Sequence, residues 1–412
     1  MNFSAKDASV KVLCCLLVFL CFALPVFGTV GKNEFYYAPP IQTQKVRAVW
    51  VRPFIGATAE TRKDAVKGRG FIRAELEKIK RANLNTVYVE AFWNGYAMYP
   101  SRVVPQRPLA ISYGTAENGK GWDVLQTYLE EGERFGLTIH AWLHVFYQWN
   151  SNLGGLEKSP IFAKHPDWAI LDASGSPLVK SEAEGANRDI YKVFISPSNP
   201  AVRKYLRAVV FELAEKYPKL GGVQWDYIRY PLHTNEQSFD YNPLTLRSFQ
   251  KETGFDAKKL DPKQTPKEWK VWQDWKIRQV TQTVEELAGI VRKRQPNWGI
   301  SAAVFPEIKE NLRVKMQDWK GWAEKGSVDA LLPMLYSTDY ASVENWAKEF
   351  RRDVSKKTKI YPAFFIGHFY NPKEKTLNEN YLEIERKFKF DGFGLFAAQN
   401  LTDDLIEKLS KK

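Results

Sequence analysis

Cysteine is almost missing from this sequence: Cys14, Cys15 and Cys21 are the only three in 412 residues, and all lie within the first 28. The rest of the chain therefore cannot use thiol catalysis, Cys-ligated zinc or a disulfide framework. Long Lys/Arg blocks and RNA-binding signatures are also lacking, which argues against nucleic acid as a partner. "RPFIGATAET", after the first strand-like run, is not a Gly-rich phosphate turn, so a dinucleotide-binding open sheet is disfavoured. His140 and His144 share one face by strand alternation, but no third ligand is spaced to complete a metal site. Neither a metal nor a cofactor is expected.

At the N-terminus, Lys6 and Lys11 precede the apolar run "VLCCLLVFLCFALPVF", and Val26 and Gly28 suit the small-residue positions before a cut. Residues 1–28 read as a secretory signal, because the run is shorter than a spanning helix requires. The protein is expected to be exported to periplasm, envelope or medium, with no stable membrane anchor after cleavage. Removing Lys6, Lys11 and Asp7 with the leader takes one unit from a formal charge of +13 and leaves +12. Such an excess favours an anionic partner, and an acidic glycan, a teichoic-type polymer or a membrane surface fits better than nucleic acid; basic charge kept for solubility is the bland alternative.

After a lead-in over 29–45, strand-like runs recur at 46–52, 85–92, 137–146, 221–230, 299–305, 329–336, 359–367 and 391–397. Amphipathic stretches such as "FIRAELEKIKRAN" and "AVRKYLRAVVFELAEKY" separate them. Eight alternations of strand and helix predict one α/β domain over 46–412, a (β/α)8 TIM barrel. Two connections are far longer than usual, 93–121 after strand 2 and 147–200 after strand 3, and both are rich in aromatics. Both leave the C-terminal ends of strands, where barrels build their sites.

The strand ends and following turns collect Arg52, Glu90, His144, Asp226, Arg229, Tyr336, Asp339 and His368, with Glu307 just beyond strand 5. Paired carboxylates across a cleft are what glycosidic bond cleavage needs. Asp226, in "GGVQWDYIRYP", is the first candidate for nucleophile or base, with Arg229 as the cation that keeps it ionised; an Asp226–Arg229 pair that merely locks the strand end is the alternative. Glu90 ends an apolar run and could serve as the acid, or be a buried partner of Arg52. Glu307 sits in a freer loop as a second candidate acid. Trp93, Trp142, Trp149 and Trp168 offer flat faces for sugar rings or for loop packing. Trp269, Trp272 and Trp275 recur every three residues on a helix and read as packing, and Asp329 opens strand 6 at the opposite end, a structural position.

Several segments in order, "RAVWVR", "LNTVYVEAFWNGYAMYPS", "GLTIHAWL", "HPDW", "ISPSNPAVRKY", "GGVQWDYIRYP" and "VDALLPMLYS", resemble the glycosyl-hydrolase-like family of exported bacterial TIM barrels that includes a hydrolase of peptide-stripped wall glycan. The resemblance covers nearly the whole chain after the leader. It implies a glycoside hydrolase acting on cell-wall glycan, with Asp226, Arg229 and Tyr230 as site residues. "SAAVFPE" departs from the family's usual turn after strand 5, so Glu307 rests on placement alone, and "FFIGHF" has no carboxylate where many barrel glycosidases carry one on strand 7. A glycan-binding barrel without catalysis is the alternative function.

Overall fold

In the computed structural model, residues 44–107, 122–180, 189–234, 237–369 and 380–411 are described. They belong to one compact unit, Pro39–Lys412; the leader and almost all of the lead-in lie outside the described residues. Eight parallel strands form the centre: β1 Val46–Val51, β2 Thr86–Trp93, β3 Thr138–His144, β4 Gly222–Asp226, β5 Gly299–Val304, β6 Ala330–Pro333, β7 in two pieces, Lys359–Ile360 and Ala363–Phe365, and β8 Gly392–Phe396. Each pairs in parallel with the next, and β8 returns to β1. Their residues are buried on both faces, which is why the sequence reads as nearly continuous apolar runs.

Closure runs through β7. Its first piece pairs with β6 and its second with β8, and the Pro362 between them lacks the N–H that a continuous ladder needs. The sequence predicts one unbroken strand over 359–367; the proline divides it and passes the chain from one neighbour to the other. The expected strand over 221–230 is also shorter, ending at Asp226. Tyr227 adopts a φ of 48°, an unfavourable region for a non-glycine residue, and this turns Ile228, Arg229 and Tyr230 out of the ladder. At the start of β4, Gly222 has a φ of 157°, and a Cβ there would fall 2.0 Å from the Gly299 carbonyl oxygen. Only glycine lets β4 and β5 approach so closely.

Alternation fills the barrel with Ala48 and Trp50 of β1, Tyr88 of β2, Trp142 of β3, Leu332 of β6 and Ala363 of β7. The Trp50 indole N–H donates to Gln224 Oε1, satisfying a polar atom deep inside. This layer is the floor of the mouth. Outside, helix Ala65–Arg81 is capped by Asp64, whose carboxylate accepts the Val66 and Lys67 N–H groups, and it buries Ile72, Leu76 and Ile79. In helix Pro266–Arg294, Trp272 and Trp275 stack at 5.5 Å and pack on Phe249, with Trp269 against the same cluster. Asp329 accepts both arms of Arg292 and the Ile300 N–H at the entry end of β6, as its position implied.

Candidate active site

One inward step above the floor, alternation brings Arg52 from β1's end, Glu90 of β2, His144 of β3 and Asp226 of β4 to the mouth. Asp226 is half-buried. Its Oδ2 accepts the Trp142 indole N–H at 3.0 Å and its Oδ1 accepts the Tyr227 backbone N–H at 2.6 Å. Burial pushes its carboxyl above the ordinary value, with those two donors and the cations Arg229 and Lys192 opposing. Glu90 is only 2% exposed. Its Oε2 accepts Arg107 Nη1 at 3.1 Å, and its Oε1 lies 3.6 Å from His144 Nε2. Burial raises its carboxyl too; Arg107 and Arg52 work against this, and the Asp226 charge adds to it. The Glu90 pairing reading therefore finds Arg107, not Arg52, as the hydrogen-bonded partner.

His144 is packed between the rings of Trp142, Tyr147 and Tyr227 at 4.7, 5.7 and 4.9 Å. Burial, reinforced by Arg107, Lys192 and Arg52, holds it well below its ordinary value and hence neutral. Opposite the acids, Tyr336, Phe365 and Phe396 form a half-exposed wall with ring centroids 6.1 to 6.3 Å apart, and the edge of His368 meets Phe365. Trp142 joins this wall through Phe396 at 6.0 Å. Trp93 lies under the Arg107 guanidinium at 4.3 Å, and Arg52 reaches over Phe396 at 5.8 Å. The mouth thus combines a half-buried carboxyl, a buried second carboxyl and flat aromatic surface, the components of a sugar cleft.

Several expected site residues are placed elsewhere. Arg229 is buried and makes a two-armed pair with Asp189 at 3.0 and 3.1 Å, not with Asp226. The turn at Tyr227 aims it behind the mouth. Asp189 also accepts Lys315 Nζ at 3.0 Å and the Leu232 N–H at 3.1 Å, and Lys192 stands 3.5 Å away. Burial opposes its ionisation, yet Arg229 and Lys315 hold its carboxyl well below the usual range. Tyr230 is fully buried and donates to Asp240, which also accepts Ser196, Ser198 and Thr245; its ring and hydroxyl belong to the core. Asp339 is exposed and caps helix Tyr340–Asp353, accepting the Ala341 and Ser342 N–H groups. Glu307 is exposed in the turn after β5 and accepts the Trp346 indole N–H at 3.1 Å. None of these contacts brings Glu307 or Asp339 to Asp226.

The connection after β3 folds back as a hairpin, Tyr147–Asn150 against Lys192–Phe194. Trp149 is 4% exposed with its indole N–H on the Gly154 carbonyl, and Trp168 is buried and stacked on His165 at 4.1 Å. Trp149 is thus packing, not a cleft wall. Trp149→Ala should cost about 3 kcal/mol by emptying a tryptophan-sized space, measured by denaturant unfolding. Sequence reasoning missed Arg107, Asp189, Lys192 and Lys315, all supplied by connections between strands.

Among the described residues, no group of His, Cys, Asp and Glu could hold a metal ion. A model of the glycosyl hydrolase-like 10 family matches residues 45–377. Glycosyl hydrolase DigH of Escherichia coli strain K12 is 23% identical over 287 residues, 64% of this chain and 56% of its own. Glycosyl hydrolase YngK of Bacillus subtilis strain 168 is 22% identical over 334 residues, 76% of this chain and 58% of its own. The chain therefore spans little more than half the length of these curated relatives. Among solved structures, the catalytic domain of a Paenibacillus polymyxa β-amylase superposes with a TM-score of 0.55 at 13% identity, covering 88% of this chain and 94% of that one. A β-galactosidase from the psychrophilic Marinomonas ef1 gives 0.58 at 10% identity, covering 89% of this chain and 58% of its own. These two likenesses establish the barrel fold alone. With the family model matched from the first barrel strand past the seventh, the chain belongs to the glycosyl hydrolase-like 10 family.

Proposed function

We propose that the protein is an exported glycoside hydrolase that cleaves peptide-stripped wall glycan, with Asp226 and Glu90 as its two carboxyls. The observation that carries this reading is the half-buried Asp226 at the rim of β4, with aromatic rings beside it and a second, buried carboxyl behind it. Membership of a glycosyl hydrolase-like family supports it. Asp226 acts as nucleophile or base. Burial favours the protonated form of Glu90, so it suits the acid, and the Arg107 guanidinium takes up its charge once the proton leaves. Among the described residues no helix is long and apolar enough to cross a membrane, which is compatible with release after export.

One observation favours a catalytically silent glycan-binding barrel: Glu90 is nearly inaccessible and already ion-paired. Turnover separates the two readings. Stripped wall glycan carries a lactyl carboxylate on alternate sugars, whereas chitin oligomers are neutral. With formal charge +13 on the whole chain, the enzyme should cleave the anionic polymer faster at low ionic strength, and the preference should shrink above about 0.1 M salt. Reducing-end assays on both polymers at two salt concentrations measure this. Equal cleavage of both polymers at low salt would detach the charge from the substrate.

A further inference from the structure

Among the described residues, Arg52, Arg107 and Lys192 at the mouth, with Arg229 and Lys315 buried behind it, stand against three carboxylates, Glu90, Asp189 and Asp226. Burial lowers Lys315 to about 7. Burial works against the charged form of Lys192 as it does against those of Glu90 and Asp226, so the cluster lacks a counter-charge that a bound anion would supply. Unbalanced positive charge in a desolvated site is costly unless an anion arrives to offset it.

The five cations differ in what is left free. Arg229 is held by Asp189 and the Tyr230 carbonyl, Lys315 by Asp189, and Arg107 by Glu90. Among the described residues, the ion-pair contact of Lys192 is a long one with Asp189, 3.5 Å, and its side chain keeps 19% exposure, against 5% and 7% for Arg229 and Lys315. Its ammonium lies 5.7 Å from the Tyr227 ring and 5.8 Å from the Tyr147 ring, close enough for Asp226 to feel its charge. Across the mouth, Arg52 Nε is buried with no hydrogen-bond partner among the described residues. An unmade donor bond at a buried Nε of a half-buried arginine is costly, and a ligand oxygen would satisfy it.

We infer that Lys192, with Arg52 opposite, forms a subsite for the carboxylate of an acidic sugar, and that Lys192 sets the enzyme's preference for anionic over neutral glycan. This rests on the proposed hydrolase reading and adds a residue to it. It also moves anion recognition from Arg229, where the sequence placed it, to the hairpin strand Lys192–Phe194. An ammonium gives charge-assisted bonds to a carboxylate that a neutral hydroxymethyl group cannot match.

The test compares each polymer with its own carboxyl-reduced form, for stripped wall glycan and, separately, for a polyuronate. The wild type should cleave at least one carboxylate polymer about tenfold faster than its reduced partner in kcat/KM. The polymer showing this ratio identifies whether the acid is a lactyl ether or a uronate. In Lys192→Met the ratio should fall to near one, and in Lys192→Arg it should persist, with circular dichroism checking the fold. A ratio unchanged in Lys192→Met, or equal losses on both forms, would overturn the subsite. If the wild type cleaves no polymer, the hydrolase reading fails by itself. The same ratio measured by binding to immobilised reduced and unreduced glycan then decides the subsite.

Discussion

Asp226→Asn is expected to leave the barrel folded and to lower turnover by at least about a hundredfold, the scale for losing a positioned acid, base or nucleophile. The amide has the same shape, and its oxygen can still accept from Trp142 or from the Tyr227 backbone. What it loses is the ability to carry charge or a proton at the one half-exposed carboxyl of the acid cluster. Glu90→Gln should also lower activity and change its pH profile. Burial raises both carboxyls, so both limbs of the wild-type kcat/KM profile should sit above ordinary carboxylate values, as properties of the pair. A reducing-end assay of Asp226→Asn at wild-type rate, with unchanged circular dichroism, would remove Asp226 from the chemistry.

The second large effect falls on stability. Asp189 is the only carboxylate that accepts Arg229 and Lys315 among the described residues, and it is fully buried. Asp189→Asn would leave those cations without their counter-charge, a loss of about 3 to 5 kcal/mol. The melting temperature should fall by roughly 4 to 6 °C. Lys315, at about 7 with Asp189 beside it, would be lowered further without it and can shed its proton, but Arg229 cannot, so the damage should be eased at neutral pH without vanishing. Asp189 also gives the wild type an acid dependence. Its folded carboxyl is depressed, so its stabilisation is complete above the unfolded value near 4 and is lost as pH falls through the folded value. Calorimetry of wild type and variant between about pH 2 and 8 would show curves that converge at the acid end. A variant as stable as the wild type at pH 5 would mean that the cation cluster is balanced some other way.

The barrel was legible in the sequence because parallel strands with both faces covered leave apolar runs that punctuation separates. Strand ends were less so. Nothing in "WDYIRYP" announces that Tyr227 takes a positive φ, and that one dihedral sends Arg229 to Asp189 when sequence adjacency suggests Asp226. Pro362 was visible, and its missing N–H could have predicted the division of β7. The rim residues Glu90, His144 and Asp226 followed from alternation, as Phe396 could have done from Gly394 and Gly392 two and four positions earlier. Asp189 and Lys192 could not have been found that way. They come from a long connection with no period, and only its folding into a hairpin brings Lys192 to the mouth and Asp189 behind it.

The most direct measurement is to incubate the protein with purified stripped glycan in oxygen-18 water and analyse the products by mass spectrometry. Hydrolysis by Asp226 and Glu90 puts one heavy oxygen at the new end of each cleaved bond, and the Asp226→Asn protein should give no such products over the same period. Shorter strands without heavy oxygen, or labelled products equally abundant from the Asp226→Asn protein, would contradict the account.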